Sequence, residues 1–301
     1  MKTVLTTAEG PVIREVADPT RADHEALVAV RAFSLNRGEL ALLEARTQQW
    51  RPGQDVAGVV VEAAADGSGP APGTRIAAQV DQAGWAELVP VPGDRLAVLP
   101  DEVTIEQGAA LPLAGLTALR TLRLGGDLLG RRVLVTGASG GVGRYQTELA
   151  ALAGARVTAV AARTHQDALL GLGAHVVVAA PADAADGQDL VTESVGGDSL
   201  AAALTKVTPG GTVVVLGSSS GTKTPIDIYD FVGHEGARLL SYLSYAHPAP
   251  PGPDLRLLVD LVATGRLHPT LGLVRDWTDL PDVLAALRER RVSGKAVLTI
   301  G

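Results

Sequence analysis

The sequence predicts an α/β protein in which a barrel-like β domain leads into a doubly wound parallel sheet. Three observations carry this expectation. In Val133-Leu-Val-Thr-Gly-Ala-Ser-Gly-Gly-Val-Gly143 an apolar run passes straight into a glycine turn, and helix-forming residues follow from Arg144 to Leu152. Beyond it, strand candidates begin near Val133, Arg156, His175, Asp189, Thr212 and Arg238, with helix-like segments between the earlier ones. The first hundred residues differ from both: they hold short strand-like runs broken by Gly and Pro.

Within that first stretch the strand-like runs are Ala26 to Arg31, Val56 to Glu62, Arg75 to Gln79 and Trp85 to Val89. Asp66-Gly-Ser-Gly-Pro-Ala-Pro-Gly73 reads as a loop by composition. Around Ile105 to Leu124 the period becomes helical, with Leu111, Leu116, Leu119 and Leu122 on one apolar stripe. The glycine turn comes next. Missing side chains let its backbone pass close to a pyrophosphate, and the helix that follows offers free N–H groups and a positive dipole end. With Arg156-Val-Thr-Ala-Val160 as the second strand, the context is that of a dinucleotide site. Val176-Val-Val178 and Val213-Val-Val-Leu216 are the β-branched runs expected of buried parallel strands. A Pro-rich break, His247 to Pro253, precedes two helices (Asp254 to Thr264 and Leu280 to Arg290) and a last strand, Lys295 to Ile300.

Composition narrows the function classes. The formal charge is −7, which disfavours nucleic acid or an anionic membrane as partner, and Arg131-Arg132 and Arg288 to Arg291 are short runs. No apolar run approaches the roughly 20 residues that span a bilayer. The N-terminal residues lack the apolar core of a signal peptide, so a cytoplasmic protein acting on a small-molecule substrate is expected. The absence of cysteine excludes disulfides, thiolate metal ligands and a cysteine nucleophile. Only 3% of residues are aromatic, so the cores should be mostly Leu, Val and Ala.

Several strings share an order and spacing with a known family. They are Ser34-Leu-Asn36, Pro52-Gly-Gln-Asp-Val-Ala-Gly-Val-Val60, Gly115-Leu-Thr-Ala-Leu119, the glycine turn and Glu193-Ser-Val-Gly-Gly197. Pro209-Gly-Gly-Thr-Val-Val-Val-Leu-Gly217 and Ser293-Gly-Lys-Ala-Val-Leu298 complete the set. Together they resemble the medium-chain dehydrogenase/reductase superfamily, specifically its zinc-free quinone oxidoreductase (zeta-crystallin-like) branch. The resemblance implies a GroES-like distorted β-barrel catalytic domain (residues 1–113 and 246–301) and a Rossmann domain (114–245), with the active site in the cleft between them. It also implies a homodimer joined through the sixth Rossmann strand, Arg238-Leu-Leu-Ser-Tyr-Leu243.

Zinc-dependent relatives place Cys, His and Cys where this chain has Asn36, Gln54 and Leu113, so no catalytic metal is expected. Gly233-His-Glu-Gly236 looks like a zinc-site string, but it follows the fifth Rossmann strand and reads as a loop histidine. The expected cofactor contacts are Ala138, Ser139, Gly140, Gly141, Val142 and Gly143 for the phosphates. The nicotinamide should rest against Val195 and Gly196 on one side and Gly217, Ser218 and Ser219 on the other. Near Ala161, where NAD-preferring domains carry a carboxylate, there is none; Arg163 either pairs with a 2′-phosphate, favouring NADPH, or is a solvated helix-start residue. By resemblance Asn36 and Thr117 lie beside the nicotinamide and orient its amide or the acceptor's carbonyl; capping of local backbone is the alternative. Tyr145 reads as packing, which leaves Tyr242 and Tyr245 as acid or substrate-contact candidates. The activity implied is NADPH-dependent reduction of a quinone or an α,β-unsaturated carbonyl compound. The alternatives are a dedicated biosynthetic tailoring enzyme on the same fold and a non-catalytic NADPH-binding sensor.

Overall fold

The computed structural model describes residues 1–46 and 48–301. The chain forms two compact units, Met1–Leu116 with Pro248–Gly301, and Thr117–His247. The first unit opens with β1 (Lys2–Thr7) and β2 (Gly10–Glu15), an antiparallel pair. There follow β3 (Glu25–Leu35), α1 (Arg37–Ala45), β4 (Asp55–Glu62), β5 (Arg75–Gln79), β6 (Leu88–Pro92) and β7 (Leu96–Val98), then α2 (Ile105–Ala110) and α3 (Pro112–Arg123). The single helical stretch expected over 105–124 is thus two helices. Pro112 has no N–H to give the preceding turn and its ring would clash there, so it starts a new helix instead of continuing the old one. The strand expected at Trp85 to Val89 lies three residues later, and Trp85 is instead a fully buried core residue.

The second unit alternates as expected: β8 (Arg132–Val135), α4 (Gly141–Leu152), β9 (Arg156–Val160), α5 (Gln166–Gly171), β10 (Val176–Val178), β11 (Gln188–Glu193), α6 (Asp198–Leu204), β12 (Val207–Val215) and β13 (Arg238–Ser241). All six strands are parallel, in the order β10-β9-β8-β11-β12-β13. This is the doubly wound order, and it reverses direction between β8 and β11, where such sheets bind ligands beyond their C-terminal ends. Val133, Leu134, Val135, Val191 and Val213 are completely buried, which is why these strands read as unbroken apolar runs. β13 forms one edge, with Leu239 and, just past it, Leu243 exposed.

The chain then contributes α7 (Gly252–Ala263), β14 (Leu271–Asp276), α8 (Leu280–Arg288) and β15 (Lys295–Thr299) to the first unit. β15 runs antiparallel to β3 and carries β14 beside it, giving a seven-stranded sheet ordered β14-β15-β3-β4-β5-β7, with β6 also on β3. β14 was not anticipated: it is short, interrupted by Gly272 and nowhere fully buried, so its identity comes from pairing with β15. The core of this unit is more aromatic than composition suggests. Phe33 stacks on Trp85 at 5.6 Å and meets Trp277 edge-on at 6.5 Å, among Val28, Val30, Ile76, Leu284 and Leu298.

Candidate functional site

In the second unit three turns meet at the C-terminal ends of β8, β11 and β12. The glycine turn after β8 runs from Gly137 to Gly140, and α4 begins at Gly141 with no side chain capping it. The first N–H groups of that helix are therefore available to an anion. Ala138 is buried, while Ser139, Gly140, Gly141 and Val142 are partly exposed. Gly143 is fixed by close approach: a Cβ there would strike the Gly137 carbonyl oxygen and lie 2.6 Å from Ala138 Cα.

The turn after β11 is held by a buried carboxylate. Glu193 accepts hydrogen bonds from the backbone N–H groups of Val195 (3.1 Å) and Gly196 (2.9 Å), from Ser199 Oγ (2.9 Å) and from Thr136 Oγ1 (3.1 Å). Thr136 in turn accepts from the Ser194 N–H at 3.0 Å, which ties the β11 turn to the β8 turn. The loop after β12 is strapped to the same place, since Ser219 and Ser220 donate their N–H groups to the carbonyls of Ser194 and Val195. Gly197 has φ +56°, a left-handed conformation that a side chain disfavours, and a Cβ on it would strike Thr222. Val195, Gly196, Gly217, Ser218 and Ser219 are thus neighbours of one another and of the glycine turn. Glu193 and Thr136 were not singled out as site residues. Glu193 stood inside a recognised string, but nothing in the string shows that its side chain folds back onto the turn.

Around these turns the remaining residues fall as follows. Arg163 is exposed on a short 3-10 turn just after β9, where no carboxylate is present. Arg144, in the first turn of α4, folds its Nε onto the Ser139 carbonyl at 3.1 Å, adding a cation beside the glycine turn that the sequence did not flag. Thr117 is buried on α3. Tyr145 is 2% exposed on α4, a core residue. Tyr242, expected within the sixth strand, lies just beyond it with Tyr245, because β13 stops at Ser241. Tyr242 is buried with its ring 6.1 Å from that of His247, whereas Tyr245 is 81% exposed, so the two occupy unlike environments. His234 of the Gly-His-Glu-Gly string bonds through Nδ1 to the Val207 carbonyl at 2.6 Å. Among the described residues no three His, Cys, Asp or Glu side chains gather as a metal site.

The first unit holds a second polar assembly, buried at the junction of β3, α1, β4 and β15. Asn36 precedes α1 by one residue, and its side chain does not cap the helix. Its Nδ2 donates to Asp55 Oδ2 at 2.7 Å, and its Oδ1 accepts from Lys295 Nζ at 2.6 Å. Lys295 also donates to Asp55 Oδ2 and to the Leu35 carbonyl, both at 3.2 Å. Asp55 further accepts from Ser34 Oγ and from the Leu113 N–H, each at 2.7 Å. The side chains of Lys295 and Asp55 are 3% and 0% exposed, so this ion pair is fully enclosed. Glu39 lies alongside and accepts the Asn36 N–H at 2.8 Å; burial, and next the charge of Asp55, push its carboxyl up to about 8. The positions aligned with the relatives' metal ligands, Asn36, Gln54 and Leu113, are therefore knit together through Asp55 and its neighbours.

A two-stage sheet protein with a GroES-like barrel unit and a Rossmann unit is the architecture of medium-chain dehydrogenases and reductases. The chain has that fold, and about half of it is similar in sequence to quinone oxidoreductase homologs. Residues 172–298 match a family model described as zinc-binding dehydrogenase. A Streptomyces orinoci protein described as spectinabilin polyketide synthase system protein NorB is 34% identical over 301 residues, covering 95% of this chain but 14% of that protein. A chloroplastic quinone-oxidoreductase homolog of Spinacia oleracea is 36% identical over 180 residues, 54% of this chain and 55% of that protein. The chain thus spans a small part of the first relative and about half of the second. A mycobacterial protein solved in complex with NADPH superposes with a TM-score of 0.85 at 23% identity, each chain covered completely. Among the described residues no helix is long and apolar enough to cross a membrane.

Proposed function

We propose that the chain is an NADPH-dependent oxidoreductase that reduces a quinone or an α,β-unsaturated carbonyl compound without a catalytic metal. The observation that carries this reading is the convergence of the β8, β11 and β12 turns at the reversal point of the second sheet. There helix N–H groups, glycines and Arg144 suit a pyrophosphate. When bound, NADPH supplies the hydride, and the protein's part is to bind and orient. Ala138 to Gly143 hold the phosphates, and Val195, Gly196 and Gly217 to Ser219 shape the nicotinamide's resting place. Asn36 and Thr117 are the proposed contacts to nicotinamide or acceptor, and the proton comes from Tyr242, Tyr245 or solvent. A catalytic zinc does not fit: the three aligned positions offer two amides and a leucine, and an ammonium already lies 2.6 Å from the first of them.

Two measurements bear on the cofactor half. Gly143→Ala should weaken NADPH binding about tenfold or more, because relieving backbone overlap costs on the order of 1–3 kcal/mol. Titration by cofactor fluorescence reads this, and an unchanged Kd removes the glycine turn from the site. Preference for NADPH rests on Arg163 and on the missing carboxylate. Arg163→Ala should lower kcat/KM for NADPH roughly tenfold and leave NADH unaffected, as expected for one lost charge-assisted bond to phosphate. A wild-type kcat/KM with NADH that equals or exceeds the NADPH value rejects the preference outright.

A second reading has its own support. The polyketide synthase relative aligns with 95% of this chain, against 54% for the chloroplastic homolog, which favours enoyl reduction on one dedicated biosynthetic substrate. NADPH oxidation with a panel of quinones and enones separates the two. Tight NADPH binding with no oxidation by any acceptor supports the sensor instead.

A further inference from the structure

The buried assembly around Asn36 fixes which atoms of that side chain remain for a ligand. A lysine ammonium only donates and an ionised carboxylate only accepts, so the amide can be oriented in one way. Oδ1 faces Lys295 at 2.6 Å, and Nδ2 faces Asp55 at 2.7 Å. All three ammonium hydrogens are used, on Asn36, Asp55 and the Leu35 carbonyl. Asp55 is held by Ser34, Asn36, Lys295 and the Leu113 N–H, so neither partner can turn away without stranding a buried charge. What Asn36 has left to offer is its second N–H. A cation on the oxygen of an amide draws electron density from its nitrogen, which makes that N–H a stronger donor and the oxygen a poorer second acceptor.

We propose that Lys295 and Asp55 are positioning residues that lock the Asn36 side chain as a hydrogen-bond donor, and that its remaining N–H receives the carbonyl oxygen of the acceptor. The assignment rests on the proposed reduction. Hydride carries two electrons from NADPH to the β-carbon and forms a C–H bond there. The π pair moves toward oxygen, giving an enolate, and a proton then arrives from solvent or a tyrosine. From a quinone the enolate is that of the ring-reduced dione, which becomes the hydroquinone when its sp3 carbon releases a proton to solvent and oxygen gains one. Negative charge grows on the oxygen in that step, and a preorganised donor aimed at it in a dry site stabilises the transition state more than the ground state. Lys295 therefore acts at one remove, through the amide. The acceptor must carry an oxygen conjugated to the reducible bond; an imine or a disulfide would not use this donor in the same way.

Asn36 is the only asparagine in the chain, so protein labelled with side-chain 15N-asparagine reports this amide alone. In wild type without ligand its two amide protons should be separate, slowly interchanging resonances. In Lys295→Met/Asp55→Ser, which removes both charges together and adds no second asparagine, they should move upfield and interchange faster. With NADP+ and 4-nitrophenol, whose phenolate oxygen stands for the enolate, the wild-type proton not bonded to Asp55 should shift downfield and the phenol should ionise at lower pH. Both effects should be lost in the double variant. With NADPH and an accepted quinone or enone, that variant should lose about tenfold in kcat while its NADPH Kd stays put. Freely rotating wild-type amide protons, a phenol that fails to bind or binds without moving them, or an undiminished kcat in the folded double variant each overturn the proposal. If wild type oxidises NADPH with no acceptor at all, it is the reductase reading that fails, and the unliganded spectra still decide whether the amide is locked.

Discussion

Lys295→Met alone should destabilise the first unit by roughly 3–5 kcal/mol, the range for removing one partner of an enclosed ion pair. The loss comes from what is left behind. Asp55 is completely buried, and without the ammonium its charge is balanced only by the neutral donors of Ser34, Asn36 and Leu113. Those three bonds place the cost toward the lower end of the range. Lys295→Met/Asp55→Asn should recover most of the stability, because no buried charge remains. All three tryptophans lie in the first unit, and Trp85 and Trp277 are in its core, so urea unfolding followed by tryptophan fluorescence reads this unit. Equal midpoints for the single and double variants would show that the pair does not act as a pair.

That assembly also marks where sequence reasoning stops. The glycine turn was legible because its chemistry is local: strand, turn and helix follow one another within Val133 to Leu152, and the turn's glycines are a direct record of backbone crowding. The doubly wound sheet followed from the same alternation, whereas its strand order comes from the pairing itself. Lys295 and Asp55 both stood inside recognised strings, yet 240 positions separate them, and no periodicity links two residues brought together only because β15 and β4 both pair with β3. Asn36 was identified as a site residue, but whether it capped the helix or faced a ligand was open. The partners that decide its orientation lie on β4 and β15. The tyrosines show a different limit. Tyr242 and Tyr245 are three positions apart, but the strand ends at Ser241 and the chain turns, leaving one buried and one exposed. Side-chain burial just past a strand end depends on the path of the loop, which residue type does not dictate.

Glu39 should make stability fall as pH rises across the neutral range, the reverse of what a paired carboxylate does. It is 1% exposed at the start of α1 and accepts the Asn36 N–H, but burial and the nearby charge of Asp55 outweigh that bond and the attraction of Lys295. Its carboxyl is pushed from 4.5 up to about 8. The folded protein then keeps a proton that the unfolded chain releases above its ordinary value. More protons are bound in the folded state, so the unfolding free energy decreases with pH, by about 1.4 kcal/mol per unit. The full contribution is present below 4.5 and is lost by the time pH passes 8, a span of up to roughly 5 kcal/mol. Urea midpoints at pH 5.5, 7 and 8.5 should therefore decline in wild type. In Glu39→Gln, which keeps an oxygen for the Asn36 N–H but cannot ionise, the decline should be absent. The N-terminal ammonium, raised above 8.0 chiefly by its hydrogen bond to Asp18, adds a decline of the same sign only near pH 8 and above, and it is common to wild type and Glu39→Gln, so the difference between them reports Glu39. The carboxyls of Asp66, Asp186, Glu235 and Asp276 are held below their ordinary values by hydrogen bonds and, for Asp186, by Lys206. Their contributions are lost as pH falls, below the range in which Glu39 titrates, and act with the opposite sign. A wild-type midpoint that rises or stays level between pH 5.5 and 8.5 would mean that Glu39 is already ionised in its buried place, with Lys295 serving two carboxylates instead of one.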